Sequence, residues 1–231
     1  MESPPFLLSL SRKRDGTPHG HLPLLNRLHT DELEDRYGPI SVLVLRHDER
    51  SREAHLTDAL GVSRTFAVTL FPYDGPPESL REIDADVRAG SPIGKTFREH
   101  GYELRNNVLG FEIVELPPSL RAAFHDQHSY AQARLSEMLC RHGRNLPLFY
   151  GTVFEIYHPD FRCPEAHRGD GLQEAVTLAS LASQGVSLEE AWHCIGSGSS
   201  DDERWLRARQ AAQSQILLMK ERVRGILKAT R

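Results

Sequence analysis

Residues 133–157 read ARLSEMLCRHGRNLPLFYGTVFEIY, two largely apolar runs on either side of a short polar turn. The turn at His142–Asn145 holds a glycine and an asparagine, which tolerate the backbone angles of tight turns. The run Leu148–Tyr157 is rich in aromatic and β-branched residues, as strands are. The pattern therefore predicts an antiparallel hairpin between strands near Ala133–Arg141 and at Leu148–Tyr157.

Shorter apolar runs upstream predict the rest of a sheet. Ile40–Leu45 is apolar and β-branched, and it is too short for an independent helix. Arg64–Phe71 has the same character and ends at a turn rich in proline and glycine. Tyr102–Leu109 and Phe111–Leu116 are predicted as two further strands. The second of them alternates apolar and acidic residues, so one of its faces is expected to be wet.

Helices are predicted between these strands. The first lies within Pro23–Tyr37, with Thr30 placed to cap the turn Asp31–Glu34, and another spans Ile93–His100. A third begins near Ser119, after two prolines. Strands joined by short turns with helices interspersed predict an α+β domain, a mostly antiparallel sheet with helices covering it.

The chain divides into three predicted segments. Residues 1–21 form an N-terminal arm rich in proline and glycine, residues 22–162 form the α+β domain, and residues 163–231 form a helical C-terminal extension. Capping boxes at Ser187–Glu190 and Ser200–Glu203 indicate helix starts. Apolar residues recur along the last helix at three- and four-residue steps: Trp205, Ala212, Ile216, Met219, Val223 and Ile226. This stripe favours a helix packed on its own domain and leaves open a homodimer through the C-terminal helix.

Composition and charge exclude several classes of protein. The formal net charge of −4 gives no general attraction to nucleic acid or to anionic lipid, so neither is an expected partner. No apolar stretch approaches the about 18–20 residues that span a bilayer. The basic residues Arg12–Arg14 follow the apolar run Phe6–Leu10, the reverse of the order in a signal peptide. A cytoplasmic location is predicted.

The cysteines and histidines do not indicate a bound group. Cys140, Cys163 and Cys194 are odd in number and widely spaced, which is typical of reduced thiols. His125 and His128 would share one face of a helix, but no third ligand has a suitable spacing, and a surface pair is the favoured interpretation. No metal and no cofactor are predicted.

The segment SPIGKT at residues 91–96 ends in Gly-Lys-Thr, as a nucleotide phosphate-binding loop does. Such a loop needs an earlier glycine where this chain has Ala89, and it follows an apolar strand, whereas residues 84–88 are polar. A nucleotide phosphate loop is therefore excluded.

The same segment carries a resemblance to a known family. SPIGK at residues 91–95, followed by a helix and then Arg105, is similar to the signature of chorismate lyase. Arg64 opens a strand that ends in the turn Asp74–Pro77, as in that family. Residues 147–161 resemble its closing strand, and equally the end of UTRA domains, the effector-binding modules of GntR-type regulators, which share the fold. The likeness spans the whole α+β domain.

The resemblance implies a cavity between sheet and helices that holds a small, often anionic ligand. Arg64 would anchor a ligand carboxylate, since a guanidinium is a planar, two-pronged donor, and Arg52 is the competing match. The turn at Ile93–Gly94 would offer backbone amides. Lys95 stands where the family has an arginine, and Arg105, at the signature's second arginine, is a further predicted ligand-binding residue.

The glutamate on the family's closing strand decides between two implied functions. Without a gap it aligns with Thr152, and Glu155 lies three residues further on. Those positions face opposite sides of a regular strand, so only a bulge would bring Glu155 into the cavity. The favoured implication is a chorismate lyase-type enzyme that eliminates pyruvate from chorismate or a related carboxylated ring compound, because a stand-alone domain of this fold has no attached output. The alternative is a non-catalytic, UTRA-like sensor of a small anionic ligand.

Overall fold

The computed structural model describes residues 28–161, 175–195 and 203–229. Those residues form an α+β structure around one antiparallel sheet of six strands. The strands are β1 (Ser41–His47), β2 (Ser51–Thr57), β3 (Ser63–Leu70), β4 (Tyr102–Glu115), β5 (Tyr130–His142) and β6 (Leu148–Tyr157). Their order across the sheet is β1-β2-β3-β6-β5-β4, so the pairing of β3 with β6 joins two meanders into one sheet.

Seven α-helices lie in the described residues and cover both faces of the sheet. They are α1 (His29–Tyr37), α2 (Arg81–Arg88), α3 (Ile93–Glu99), α4 (Pro118–Phe124), α5 (Leu178–Ser183), α6 (Leu188–Cys194) and α7 (Glu203–Ala229). Helices α1 to α3 pack on one face, which we call the α1 face. Helices α4 to α7 pack on the opposite face, which we call the α7 face.

The larger part of the core lies on the α7 face. Ala212, Ile216 and Val223 of α7 are buried against sheet residues such as Phe66 and Phe154. The apolar stripe on the last helix therefore packs on its own sheet, as its spacing favoured. An ion pair between Lys220 and Glu112, 2.8 Å long, adds a polar tie from α7 to β4.

The α1 face carries two separate apolar clusters. One surrounds Phe97 and Tyr150 under α2 and α3, and the other surrounds Leu33 under α1. Between the two clusters the sheet carries short side chains, such as that of Ala54 on β2 and that of its register partner Ala67 on β3. A strip of small residues between two bulky clusters leaves the helices less to pack against there.

Four local expectations differ from the structure. Strand β2 was not predicted, because its sequence SREAHLT is mostly polar. The two strands expected at 102–116 are one strand, β4, which continues through an irregularity at Leu109, between Val108 and Gly110. Helix α2 was missed, and Thr30 lies inside α1, which begins without a side-chain cap. The capping box at Ser187 is confirmed, whereas the second box begins outside the described residues, as does the expected first turn of the first helix.

Glu137 is a buried acid in the middle of β5, 1% exposed on the α7 face. Its Oε2 accepts hydrogen bonds from Asn107 Nδ2 at 2.9 Å and from the backbone N–H of Leu178 at 2.8 Å. It thereby holds the first residue of α5 against the sheet. Burial raises the pKa of Glu137 from 4.5 to about 7, although both hydrogen bonds act in the other direction.

This burial makes stability depend on pH in a known direction. Folding favours the protonated form of Glu137, so its contribution is complete below pH 4.5 and is lost as the pH rises to about 7. The loss amounts to about 3 kcal/mol. We expect Glu137→Gln, which keeps an accepting oxygen but does not titrate, to remove that decline. Urea unfolding over this pH range measures it.

Glu115→Gln is the matched control, because Glu115 is exposed on the neighbouring strand β4. The control should keep the pH profile of the unchanged protein. Parallel profiles for Glu137→Gln and the unchanged protein would contradict the assignment.

Candidate functional site

Buried polar atoms without hydrogen-bond partners concentrate at one place on the α1 face. Of the eleven such side-chain atoms in the described residues, six belong to one group. They are His47 Nδ1 and Nε2, Arg52 Nε, Tyr73 Oη, Asp84 Oδ1 and Tyr150 Oη. We call these five residues the Arg52 cluster. An unpaired buried polar group costs about 1–3 kcal/mol, so such a concentration marks a candidate functional site.

Five different elements build this cluster. Arg52 begins β2 and lies directly across from His47 at the end of β1. Asp84 comes from α2, and Tyr73 from the turn after β3. Tyr150 is the extra residue of a bulge in β6, because Phe149 pairs with Leu139 while Gly151 pairs with Met138.

A glycine lies directly beside the bulge. A Cβ on Gly151 would lie 2.8 Å from the carbonyl oxygen of Leu70 on the neighbouring strand β3. The close approach of β3 and β6 therefore requires glycine beside the bulge. The bulge turns Tyr150 toward α2 and α3, where it packs with Phe97 at 4.7 Å between ring centroids.

Aromatic rings connect the members of the cluster. Phe71 is central, with ring-centroid distances of 5.6 Å to His47, 5.9 Å to Tyr73 and 5.6 Å to Tyr150. The rings of His47 and Phe71 are nearly parallel, at 19°. Walls of aromatic rings with a few polar groups are typical of sites for small ring-shaped ligands.

Arg52 is the strongest electrostatic feature of the cluster. The residue is 4% exposed, and its Nη2 donates to the carbonyl oxygen of Ser91 at 3.3 Å. No acidic side chain of the described residues forms an ion pair with it. Burial lowers the pKa of Arg52, but a guanidinium remains charged in any protein. A buried cation without a counter-charge is costly, and an anion beside it would offset that cost.

The polar groups around Arg52 can both donate and accept. Asp84 Oδ2 accepts from Arg88 Nε at 2.5 Å, which leaves Oδ1 unpaired. Burial raises the pKa of Tyr73 and of Tyr150, so both hydroxyls stay protonated and can donate. The cluster thus combines one cation with hydrogen-bond donors and an acceptor, the groups that recognise carboxylates and other oxygen atoms.

Arg64, the anchor expected from the sequence, lies elsewhere. Its Nε and Nη2 bind Asp58 Oδ2 at 2.8 and 2.7 Å, and its Nη1 reaches Asp160 at 3.5 Å. Its guanidinium also stacks over the ring of Tyr37 at 4.1 Å. Arg64 thus ties β3 to α1 and to the end of β6, and its charge is already balanced. The competing candidate, Arg52, occupies the cluster.

The predicted turn at Ile93–Gly94 lies near Arg52, since Ser91 accepts from that guanidinium. Ile93 packs against the apolar cluster of Phe97 and Tyr150. A Cβ on Gly94 would lie 2.9 Å from a methyl group of Leu28, so this glycine allows α3 to approach the start of α1. Lys95 is committed to Glu34 of α1 at 2.5 Å and is not a free cation.

Thr152 and Glu155 lie on opposite faces of the sheet. The bulge of β6 precedes both, and the pairing with β3 is regular from Thr152 to Glu155. Thr152 lines a cleft of about 270 Å³ on the α7 face, beside Leu218 and Arg222. It is therefore on the other side of the sheet from the Arg52 cluster.

Glu155 faces the same side as Arg52, but it is already paired. Its Oε2 accepts from Arg134 Nη2 at 2.7 Å and from the hydroxyl of Tyr157 at 3.1 Å. Burial acts to raise the pKa of Glu155, yet the charges of Arg134 and His29 hold it below its usual value. Glu155 is thus a carboxylate rather than a proton donor. The strand spacing puts its Cα roughly 12 Å from that of Arg52.

Arg105 lies on the α7 face, on the other side of the sheet from the Arg52 cluster. Its guanidinium stacks on Trp192 at 4.5 Å and donates to the carbonyl oxygen of that residue at 2.5 Å. Arg141 stacks on the same ring at 4.6 Å. The two arginines hold α6 on the sheet.

The two histidines considered as a pair do not share a helical face. His125 ends α4 in the left-handed conformation, with φ of 50°, and His128 lies beyond the helix, bound to Asp126 at 2.5 Å. The described part of the chain contains no group of three or more histidine, cysteine, aspartate or glutamate side chains that could hold a metal ion.

Comparison with known proteins adds no name to this site. No protein-family model matches the chain, and no curated protein matches it in sequence. Among the described helices, none combines the length and the apolar character needed to cross a bilayer. The resemblance to chorismate lyase and UTRA domains remains a prediction.

Replacing each arginine by methionine should separate the two roles. Arg52→Met removes an unbalanced buried charge and should raise the free energy of unfolding by about 1–2 kcal/mol. Arg64→Met leaves the buried carboxylate of Asp58 unpaired and should lower it by about 3 kcal/mol. Urea denaturation without added ligand measures both. A loss of stability for Arg52→Met as large as that for Arg64→Met would show that Arg52 serves the fold.

Proposed function

We propose that the protein binds a small carboxylated ring compound on the α1 face, with Arg52 as the carboxylate anchor. The observation that carries this proposal is a buried guanidinium without an acidic partner in the described residues, which is 4% exposed. A carboxylate at this place would form the two-pronged hydrogen bonds that arginine prefers. It would also neutralise the buried charge.

The neighbouring groups support a ring-shaped ligand with further oxygen atoms. Phe71 and Tyr150 offer ring faces and edges, and the hydroxyls of Tyr73 and Tyr150 offer donors. Short side chains such as those of Ala54 and Ala67 lie between the two apolar clusters, on the same face as Arg52. A ring of one or two substituents matches this combination of charge, donors and aromatic surface.

The reaction that we propose for this site is the elimination of pyruvate from chorismate or a related compound. The ether bond to the enolpyruvyl group breaks, the ring loses a proton and becomes aromatic, and the leaving enol becomes pyruvate. Binding the carboxylate in a fixed orientation and donating a hydrogen bond to the leaving oxygen supply most of what such a step needs. Tyr73 and Tyr150 are the donors available beside Arg52.

A non-catalytic binding role is the second candidate, and Glu155 is the observation that favours it. The family's acidic residue on the closing strand aligns with Thr152, which faces away, while Glu155 is held by Arg134. A site that retains the carboxylate anchor but lacks a free acid on β6 suits a sensor of the UTRA type.

Binding of chorismate tests the anchor. Arg52→Gln should weaken it by about 2 to 5 kcal/mol, the usual loss when one partner of a buried charge pair is removed. Arg64→Gln is the matched control, because that guanidinium already binds Asp58 and Asp160, and its affinity should stay within a few-fold. Isothermal titration calorimetry on folded variants measures both. Equal affinity for Arg52→Gln and the unchanged protein would overturn the proposed site.

Release of pyruvate separates the enzyme from the sensor. Chorismate mixed with the protein should yield pyruvate in an assay coupled to lactate dehydrogenase. Tyr150→Phe should slow the release about a hundredfold, in the range for loss of one proton-donating group. Its stability should hardly change, since that hydroxyl has no partner among the described residues. Chorismate binding without any pyruvate would contradict the lyase reaction and leave the sensor.

A further inference from the structure

We infer that His47 is the second anion-binding group of the Arg52 cluster and that it takes up a proton when the ligand binds. The inference rests on the proposed function, because it requires an anion beside Arg52. It adds a second binding residue, which the sequence did not indicate, and a dependence of affinity on pH.

The geometry places His47 beside the anchor. The two residues are directly opposite each other in the ladder between β1 and β2, and cross-strand partners point to the same face. The ring of His47 lies on Phe71 at 5.6 Å, which fixes its plane. Both ring nitrogens are buried and have no partner in the described structure. A neutral imidazole offers one donor and one acceptor, and here neither is used.

The charged groups around His47 explain why its ring is neutral in the free protein. Arg52 faces it from β2, Arg88 and Asp84 face it from α2, and Asp48 follows it in the turn after β1. Burial and then the charge of Arg88 lower the pKa of His47, and Arg52 acts in the same direction. The carboxylates oppose this, but Asp84 is bound to Arg88 and Asp48 to Arg46.

An anion between Arg52 and His47 reverses this balance. The anion offsets the positive charge that disfavours the imidazolium. It also accepts a hydrogen bond from a ring N–H of His47, and this bond is stronger when the ring is charged. The pKa of His47 must then be higher in the complex than in the free protein. Affinity consequently rises as the pH falls from the pKa of the complex to that of the free protein. The change is at most about tenfold per pH unit for one proton.

Calorimetric titration of the full chain with 4-hydroxybenzoate tests this coupling. Its carboxylate and hydroxyl do not change charge between about pH 6 and about pH 8, where histidine titrates. We expect at least threefold tighter binding at the lower pH. We also expect proton uptake, seen as a binding heat that depends on the ionisation enthalpy of the buffer. His47→Gln should abolish both effects and keep the affinity measured at the higher pH.

Two further variants distinguish a failure of the His47 inference from a failure of the proposed function. His100→Gln is the matched control, since His100 pairs with Asp86 on the outer side of the helices and should behave as the unchanged protein does. Arg52→Gln tests the anchor in the same titration. Binding that needs Arg52 but shows no proton uptake and no change with pH would overturn the role of His47 and leave the proposed function intact.

Other results bear on the proposed function itself. If Arg52→Gln binds 4-hydroxybenzoate as well as the unchanged protein does, the anchor is wrong and the role of His47 is wrong with it. Failure of the unchanged protein to bind this probe at millimolar concentration would also overturn both. An NMR titration of the His47 ring proton gives a direct check without any variant. Its pKa should lie below the usual histidine value in the free protein and rise when the probe is added.

Discussion

The pairing of β3 with β6 holds the described architecture together. Without it, the meander of β1 to β3 and the meander of β4 to β6 would be separate sheets, each with one more unpaired edge than it has now. With it, a continuous α1 face extends from β1 to β4. The close contact of Gly151 with Leu70 belongs to this pairing, and the bulge at Tyr150, which lies in the ladder with β5, comes just before it along β6. The strand pairing that builds the sheet therefore also carries one wall of the candidate site.

The arginine of the candidate site differs from other arginines of the molecule in its partners. Arg64, Arg98 and Arg134 each meet a carboxylate within 3 Å, and the pair of Arg98 with Asp31 joins α3 to α1. Arg52 is as buried as Arg134, but the hydrogen bond that it makes within the described residues goes to the carbonyl oxygen of Ser91, not to a carboxylate. A fold selected for stability alone would pair or remove such a charge, because its burial costs free energy. The unbalanced guanidinium of Arg52 therefore supports the proposal that it binds an anion.

The sequence predicted the sheet well where hydrophobic periodicity is strong, as in β1, β3 and β6. It missed β2 because Arg52 and Glu53 look like the residues of an exposed turn. Both are nevertheless buried, at 4% and 5% exposure, because the strand lies between β1 and β3. Tertiary burial of polar side chains leaves no trace in a local pattern. A glycine within the apolar run of β6 was the one available sign of the bulge.

Only part of the candidate site could be predicted from the sequence, because the site depends on contacts between distant elements. Its five members come from five elements, and the pairing that brings them together is a property of the whole sheet. The resemblance offered Arg52 as the alternative to Arg64. The choice between them depends on ion pairs that form only in the folded protein. Asp58 and Asp160 balance Arg64, whereas nothing acidic in the described residues balances Arg52.

With Arg52 rather than Arg64 as the candidate, the residues that could act on a ligand are also different ones. The residues that the family pattern offers on β6 are occupied or turned away, since Glu155 is bound to Arg134 and Thr152 faces α7. The unpaired donors and acceptors lie instead toward α2, on Asp84, Tyr73 and the bulged Tyr150. Proton donors beside the proposed carboxylate anchor are thus hydroxyl groups of raised pKa rather than a carboxylic acid. Such donors can stabilise a developing negative charge through hydrogen bonds without transferring a proton completely, which suits an elimination driven by the aromaticity of its product.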